Sequence, residues 1–168
     1  MQKIIIVGCP GSGKTTLANQ LGKILDIPVH HLDKIFWKEG KKASHQDEFR
    51  KLVKELMEED KWILDGNFKR SVEDRIEKAD TVILFDFPKL IIIWRVFKRF
   101  FKHFNKVRPD MGGNNKEKIE WLHFKYILTY PMKEYLCRIS LLSKGKNLFI
   151  LKNPQKVRVF LKNISTTI

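Results

Sequence analysis

Nine consecutive residues near the start of the sequence have the types and the spacing of a phosphate-binding loop. They follow the apolar run 4–7, match G-x-x-x-x-G-K-[ST] at every fixed position, and read Gly8-Cys9-Pro10-Gly11-Ser12-Gly13-Lys14-Thr15-Thr16. The glycines let successive backbone N–H groups face an anion. Lys14 supplies a charge for the β- and γ-phosphates, and the Thr15 hydroxyl is placed to ligate Mg²⁺. The segment therefore predicts a bound nucleotide and Mg²⁺.

Two aspartates follow apolar runs that have the composition of buried parallel strands. Asp65 comes directly after the run 61–64, and Asp33 follows a short run around 28–30. Because parallel strands end at one edge of their sheet, both carboxylates are expected beside the phosphate loop. Phosphoryl transfer needs a carboxylate near Mg²⁺, and we predict that Asp65 supplies it. The alternatives are a turn aspartate before Gly66 and, for Asp33, a helix-capping or solvated aspartate.

Three more side chains are candidates for the acceptor side of such a site. His31 lies next to the second strand end, Trp37 carries a ring suited to stacking on a base or a sugar, and Arg75 follows Asp65 on a short predicted helix. Arg75 is suited to an acidic acceptor group, although a surface ion pair with Glu73 explains it equally well. Core packing is the alternative for Trp37, and a structural role is the alternative for His31.

The stretch 95–108 is strongly basic and contains no acidic residue. Its cations are Arg95, Lys98, Arg99, Lys102, Lys106 and Arg108. Arg95, Arg99 and Lys102 recur at helical spacing, so one face of a helix presents them together. Such a face either closes on a transferring phosphoryl group or is simply solvated.

Composition indicates one domain that covers residues 1–168. The two cysteines give no disulfide framework and no metal-ligand spacing, and the longest apolar stretches, such as 90–94, are too short to cross a bilayer. No signal sequence is recognisable at the N-terminus, so a cytoplasmic protein without membrane partners is expected. The net charge of +14 favours anionic partners, which include nucleotides, phosphorylated metabolites and nucleic acid.

Strands alternate with helices along the chain, which predicts an α/β fold with a parallel sheet. Strands are expected at 4–7, 28–30, 61–64, 81–85 and 147–151. Two helices are expected to begin at cap-like pairs, Ser44 with Asp47 and Ser71 with Asp74. A helical region from Lys116 to about Leu142 is expected to break at Pro131.

Together these motifs resemble the adenylate-kinase-like group of P-loop kinases over essentially the whole chain. The resemblance rests on the phosphate loop, on Asp65-Gly66, and on Asp86-Phe87-Pro88 followed by Arg95 and Arg99. Within that group, three further segments resemble proteins labelled DNA topology modulation proteins: His31-Leu32-Asp33 with Trp37, Leu64-Asp65-Gly66-Asn67 and Arg108-Pro109-Asp110-Met111.

The resemblance implies a three-layer α/β/α P-loop fold with a five-stranded parallel sheet, a small helical lid at about 95–115, and ATP with Mg²⁺ as donor. It also implies that Asp33 orients the acceptor hydroxyl as a general base, and that Arg95 and Arg99 belong to the lid and act in catalysis with Lys14. Adenylate kinases follow their Asp-Gly with an aromatic residue, a proline and an arginine. This chain has Asn67, Phe68 and Lys69 there, which argues against AMP as the acceptor.

Two functions from different classes follow. The favoured one is a kinase that phosphorylates an unidentified small molecule, with a nucleoside, a nucleotide or a related metabolite as candidates. The alternative is a nucleic-acid-binding regulator, connected with DNA topology, that uses ATP as a conformational ligand. The net charge motivates this alternative, but the sequence contains no helix-turn-helix, zinc-finger or RNP pattern.

Overall fold

A parallel sheet forms the centre of the protein. The computed structural model describes residues 1–37, 45–68, 70–103 and 121–167. In this part of the chain the sheet has five strands in the order β2-β3-β1-β4-β5, and every neighbouring pair is parallel. The strands are β1 (Lys3–Gly8), β2 (Val29–His31), β3 (Trp62–Asp65), β4 (Thr81–Phe85) and β5 (Asn147–Leu151). The predicted α/β class and the five-stranded parallel sheet are confirmed.

Helices connect the strands and flank the sheet. In the described residues they are α1 (Lys14–Leu25), α2 (Leu32–Phe36), α3 (Gln46–Met57), α4 (Val72–Lys78), α5 (Lys89–His103), α6 (Trp121–Thr129), α7 (Met132–Leu142) and α8 (Pro154–Thr167). None of these helices combines the length and the apolar character that crossing a bilayer requires.

The chain leaves β1 in one direction along the sheet and later returns in the other. The connection through α1 leads towards β2, whereas the connection through α4 leads from β3 across β1 to β4. Because right-handed crossovers in opposite directions put their helices on opposite faces, two helical layers enclose the sheet. The resulting switch point lies at β1, between β3 and β4, where open α/β sheets bind ligands.

The sheet lies in the core because its central strands consist of aliphatic residues that are buried on both faces. Ile4, Ile5 and Ile6 of β1 are fully buried, as are Val82 and Ile83 of β4. Strands that are covered on both faces have such continuous apolar runs rather than an alternating pattern. The register places Asp65 of β3 opposite Ile6 and opposite His31 of β2, so the polar strand ends meet at one edge.

The helix boundaries differ from the predictions at the caps. Ser71 precedes α4, but its hydroxyl donates to the carbonyl of Phe68 at 3.3 Å instead of accepting a helix N–H. The predicted capping pair at Ser71 is therefore wrong, because a local turn uses the hydroxyl. Ser44 lies outside the described residues. The predicted break at Pro131 separates α6 from α7.

Candidate functional site

The loop between β1 and α1 contains backbone that a side chain would obstruct. Gly13 has a φ of 102°, and a Cβ atom there would lie 2.8 Å from Nη1 of Arg95. At Gly11, where φ is 81°, a Cβ atom would lie 2.5 Å from the Cγ2 atom of Val96. Helix α5 therefore packs directly against this phosphate loop (residues 8–15), and only glycine leaves room for that approach.

The ammonium group of Lys14 lies over the beginning of the loop. It donates hydrogen bonds to the carbonyl oxygens of Gly8 at 3.0 Å and of Cys9 at 3.1 Å. Burial lowers the pKa of Lys14, and the charges of Asp65 and Asp33 act in the opposite direction. Lys14 and both carboxylates line the same cleft.

The other residues of the motif complete the loop without adding a nucleophile. Pro10 and Thr16 line the adjoining cleft. Burial raises the pKa of the Cys9 thiol to about 11, so it is neutral at physiological pH. Among the described residues, the buried hydroxyl of Ser12 has no hydrogen-bond partner. A buried polar atom of this kind, inside a loop of this conformation, fits a ligand with oxygen acceptors.

A chain of hydrogen bonds joins α1 to the ends of β2 and β3. The Thr15 hydroxyl donates to Oδ2 of Asp65 at 2.7 Å. His31 contacts the same Oδ2 atom through Nδ1 at 3.0 Å, and its Nε2 atom lies 3.1 Å from Oδ1 of Asn19. Hydroxyl and carboxylate oxygens are the hard ligands that Mg²⁺ accepts alongside phosphate oxygens and water. Thr15 and Asp65 therefore fit the predicted ion, and His31 lies behind Asp65.

No larger metal centre occurs in the described ranges: no group of three or more His, Cys, Asp or Glu side chains there could hold an ion.

Arg95 reaches the phosphate loop from α5. Its Nη1 atom donates to the carbonyl of Ser12 at 2.5 Å, and its guanidinium carbon lies 5.0 Å from the centre of the Phe87 ring. Burial lowers the pKa of Arg95, although an arginine remains charged at neutral pH. Arg99, one turn further on, lines the same cleft. The structure thus brings the two arginines together at the loop, on one face of α5.

Lys98, which lies between these two arginines in the sequence, does not line the cleft. Nζ of Lys98 lies 5.0 Å from the centre of the exposed Trp94 ring. Lys106 and Arg108 lie outside the described residues, as does the part of the predicted lid beyond 103.

A cleft of about 720 Å³ extends from the phosphate loop along the carboxyl ends of the strands. Asp33, which is exposed at the start of α2, lines it together with Trp37, Asn67 and Phe68. The opposite side is formed by α8, including Arg158. The structure therefore brings Asp33 and Trp37 to the same cleft as Lys14, whereas His31 faces the Thr15–Asp65 pair.

Arg75 does not lie at the acceptor side. Its side chain is fully buried, and burial lowers its pKa to about 10. The guanidinium donates to the carbonyls of Gly66 at 2.7 Å, Asn67 at 2.5 Å and Phe68 at 3.3 Å, and Nε donates to Ser71 at 3.2 Å. Prediction of Arg75 as an acceptor ligand is therefore wrong, because its donors hold the loop that follows β3 (the 66–68 loop).

Two asparagines that the sequence analysis did not select belong to the site. Asn19 contacts His31, and it lies one turn beyond Thr15 on α1. Its helical spacing from Thr15 was a usable signal. Oδ1 of Asn67 accepts a hydrogen bond from the backbone N–H of Gly8 at 3.0 Å, which ties the 66–68 loop to the phosphate loop. Its position after Asp65-Gly66 gave no indication of this contact.

Comparison with known proteins agrees with the fold. A family described as AAA domain matches residues 4–146. A solved shikimate kinase from Bacteroides thetaiotaomicron is similar with a TM-score of 0.55 and 13% identity, over 98% of this chain and 96% of that one. A shikimate kinase from Acinetobacter baumannii, solved with shikimate, has a TM-score of 0.56 and 18% identity, over 99% and 92% of the two chains. No curated protein matches.

Proposed function

Because the chain belongs to the AAA domain family of P-loop proteins, we propose that it is a kinase that transfers the γ-phosphoryl group of ATP to a hydroxyl group of a small molecule. The observation that carries the proposal is the presence of Asp33 in the same cleft as Lys14 and the phosphate loop. A protein that only binds or hydrolyses a nucleotide has no need of a base on the acceptor side. The shikimate kinases share the fold, so the acceptor has to be argued from this chain's own residues.

The proposed reaction is a direct transfer between two oxygens. The acceptor oxygen forms a bond to the γ-phosphorus, and the bond from that phosphorus to the β,γ-bridging oxygen breaks with its electron pair left on ADP. Asp33 takes the proton of the acceptor hydroxyl and later releases it to solvent. The products are a phosphate monoester, ADP and one proton.

The charged residues of the cleft have separate roles in this reaction. Lys14 holds the β- and γ-phosphates, and Arg95 and Arg99 stabilise the charge that spreads over the transferring group. Thr15 and Asp65 would hold Mg²⁺, which supplies charge neutralisation on the phosphates when bound. Arg95 and Arg99 lie within 95–103, the part of the proposed 95–115 lid that the structure describes.

The resemblance to DNA topology modulation proteins names no reaction and does not identify the acceptor. Candidate acceptors are a nucleoside, a nucleotide or a related metabolite.

Mg²⁺-dependent transfer from γ-labelled ATP tests the proposal, with a panel of nucleosides, nucleotides and hydroxyl-bearing metabolites as acceptors. We expect a phosphorylated product with the wild-type protein and a loss of about a thousandfold or more with Lys14→Ala, because no other cation replaces the ammonium at the β- and γ-phosphates. Lys23→Ala, an exposed position on the same helix, is the matched control and should retain the activity. Tight ATP binding with no transfer to any member of the panel would count against a kinase.

A further inference from the structure

The ring of Phe68 separates two cavities. On one side it lines the large cleft together with Trp37 and Asp33. On the other side it lines a smaller cavity of about 160 Å³, whose other ring walls are Phe36 and Phe49. The two cavities therefore adjoin each other at the side chain of Phe68.

The smaller cavity has the size and the walls that suit a flat ring. Ring centres lie 5.1 Å apart for Phe36 and Phe68, 5.3 Å for Phe36 and Phe49, and 4.6 Å for Phe49 and Phe68. Cavities of roughly 150 Å³ with apolar walls accommodate a benzene ring. These separations are those of rings in direct contact, so another flat ring would pack against the exposed side of the cluster and not between its members.

The wall formed by Phe68 is held in an uncommon backbone conformation. Phe68 has a φ of 29°, in the left-handed region that residues with a bulky side chain rarely adopt. The Arg75 guanidinium donates hydrogen bonds to the carbonyls of Asn67 and Phe68. The fold thus stabilises a strained backbone that places this ring between the cavities.

Two arginines also line the smaller cavity. Arg50 and Arg70 line it, and they also line a neighbouring groove of about 450 Å³. Nη1 of Arg70 donates to Oε1 of Gln46, an uncharged partner. Among the described residues, no ion pair joins either guanidinium to a carboxylate.

The groove is also basic as a whole. Its cations are Arg50, Lys51, Lys54 and Arg70, and its carboxylates are Asp47 and Asp74. Two acidic groups cannot neutralise four cations, so the groove attracts anions. Arginine binds carboxylates and phosphates through paired hydrogen bonds, which lysine cannot reproduce.

We propose that the acceptor is a flat ring compound with a hydroxyl group at one end and a carboxylate or phosphate group at the other, the ring lying against Phe68 and the anion binding Arg50 and Arg70. This inference rests on the proposed function, since it names the substrate class of the same site. The anion anchors the molecule and is not phosphorylated. The hydroxyl oxygen forms the new bond to the γ-phosphorus, its proton goes to Asp33, and ADP leaves with the electron pair of the broken bond.

Matched acceptor sets test this substrate class. The first set is 3-(hydroxymethyl)benzoate and its methyl ester; the second is 3-(hydroxymethyl)phenyl phosphate and its dimethyl ester; glycerate represents an anion without a ring. Transfer from γ-labelled ATP is measured with Mg²⁺, and ³¹P NMR identifies the phosphorylated oxygen. We expect at least a tenfold higher kcat/KM for the anionic ring compounds than for their neutral partners or for glycerate. The carboxylate and phosphate members distinguish the two sources of the anion.

Substitutions of the two arginines test where the anionic group of the acceptor binds. Arg50→Gln and Arg70→Gln should each raise the KM of the best anionic acceptor about tenfold to a hundredfold, because a charge-assisted hydrogen bond is lost. The KM of ATP and the activity with neutral acceptors should change less than twofold. Lys54→Gln is the matched control, an exposed cation of the same groove that does not line the ring cavity. Both arginines are exposed, so thermal unfolding should be unchanged.

Three results would overturn the inference and leave the proposed kinase in place. They are equal use of neutral and anionic partners, phosphorylation on the anion itself, and transfer only to acceptors without a ring. A protein that binds ATP with Mg²⁺ and transfers to no member of the sets also overturns it. Failure to bind ATP would instead refute the proposed function, and this inference with it.

Discussion

The phosphate loop and the 66–68 loop lie side by side but are held in different ways. In the phosphate loop, glycines such as Gly13 adopt conformations that the chain itself permits, and α5 packs against the bare backbone. In the 66–68 loop, a buried guanidinium from Arg75 binds consecutive carbonyls. The hydrogen bond from Gly8 to Asn67 connects the two loops. The phosphate loop thus depends on glycines, which have no side chain, whereas the 66–68 loop depends on the side chain of Arg75.

The largest loss of stability from a single substitution is therefore expected at the 66–68 loop. Arg75→Met keeps an apolar side chain in the buried position but removes the donor of the Gly66 and Asn67 carbonyls, whereas the Phe68 and Ser71 carbonyls keep a backbone N–H donor. We expect the free energy of unfolding to fall by about 3 kcal/mol or more, because each buried carbonyl loses a charge-assisted partner. Urea unfolding measures this loss.

Arg138→Met is the control for removing an arginine. Arg138 donates to Glu73 at 2.6 Å, but both side chains are exposed, and such pairs contribute about 1 kcal/mol or less. Equal losses for the two variants would mean that the buried guanidinium is no more important than a surface ion pair.

A substitution in the phosphate loop should weaken the binding of the nucleotide. Gly13→Ala adds a Cβ atom 2.8 Å from Nη1 of Arg95 at a φ of 102°. We expect about tenfold to hundredfold weaker ATP binding, measured by titration calorimetry, because Arg95 has to move from the loop and the left-handed backbone is strained.

Gly145→Ala is the control for backbone strain without a clash against a neighbouring side chain. Gly145 also has a positive φ, 80°, but a Cβ atom there would have no neighbour within 4 Å. This variant should lose about 1 kcal/mol of stability from backbone strain and keep its ATP affinity. Equal ATP affinity in both variants would show that the contact between Gly13 and Arg95 has no part in binding.

Most of the fold could be predicted from the sequence because its signals are local. The strand at 4–7 is a continuous aliphatic run, and the phosphate loop with its helix follows directly. The edge strand β2 has three residues, Val29–His31, and was displaced by one position. Short edge strands contain few apolar residues, so their pattern fixes their ends poorly.

The 66–68 loop and the ring cluster were less predictable because their contacts join residues far apart in the sequence. Arg75 looks like a surface arginine in its helix, and only the fold shows that it lies beneath the 66–68 loop. The ring cluster likewise combines Phe36, Phe49 and Phe68, which come from three separate segments. Apolar spacing predicts that such rings are buried, but it does not predict which cavity they enclose.

His31 was expected on the acceptor side, but its side chain contacts Asp65, the predicted partner of Mg²⁺. Its substitution should therefore have the smallest effect and should distinguish a role in Mg²⁺ binding from one in acceptor binding. Its Nδ1 atom lies 3.0 Å from Oδ2 of Asp65, and groups that orient a metal ligand typically change metal affinity about tenfold when they are lost. His31→Gln should therefore raise the Mg²⁺ concentration needed for half-maximal ATP binding about tenfold, measured with a fluorescent ATP analogue. His31→Asn should limit the change to about threefold, because its amide nitrogen is separated from Cα by the same number of bonds as Nδ1. If His31 binds the acceptor instead, both variants will alter the KM of the acceptor and leave the Mg²⁺ requirement unchanged.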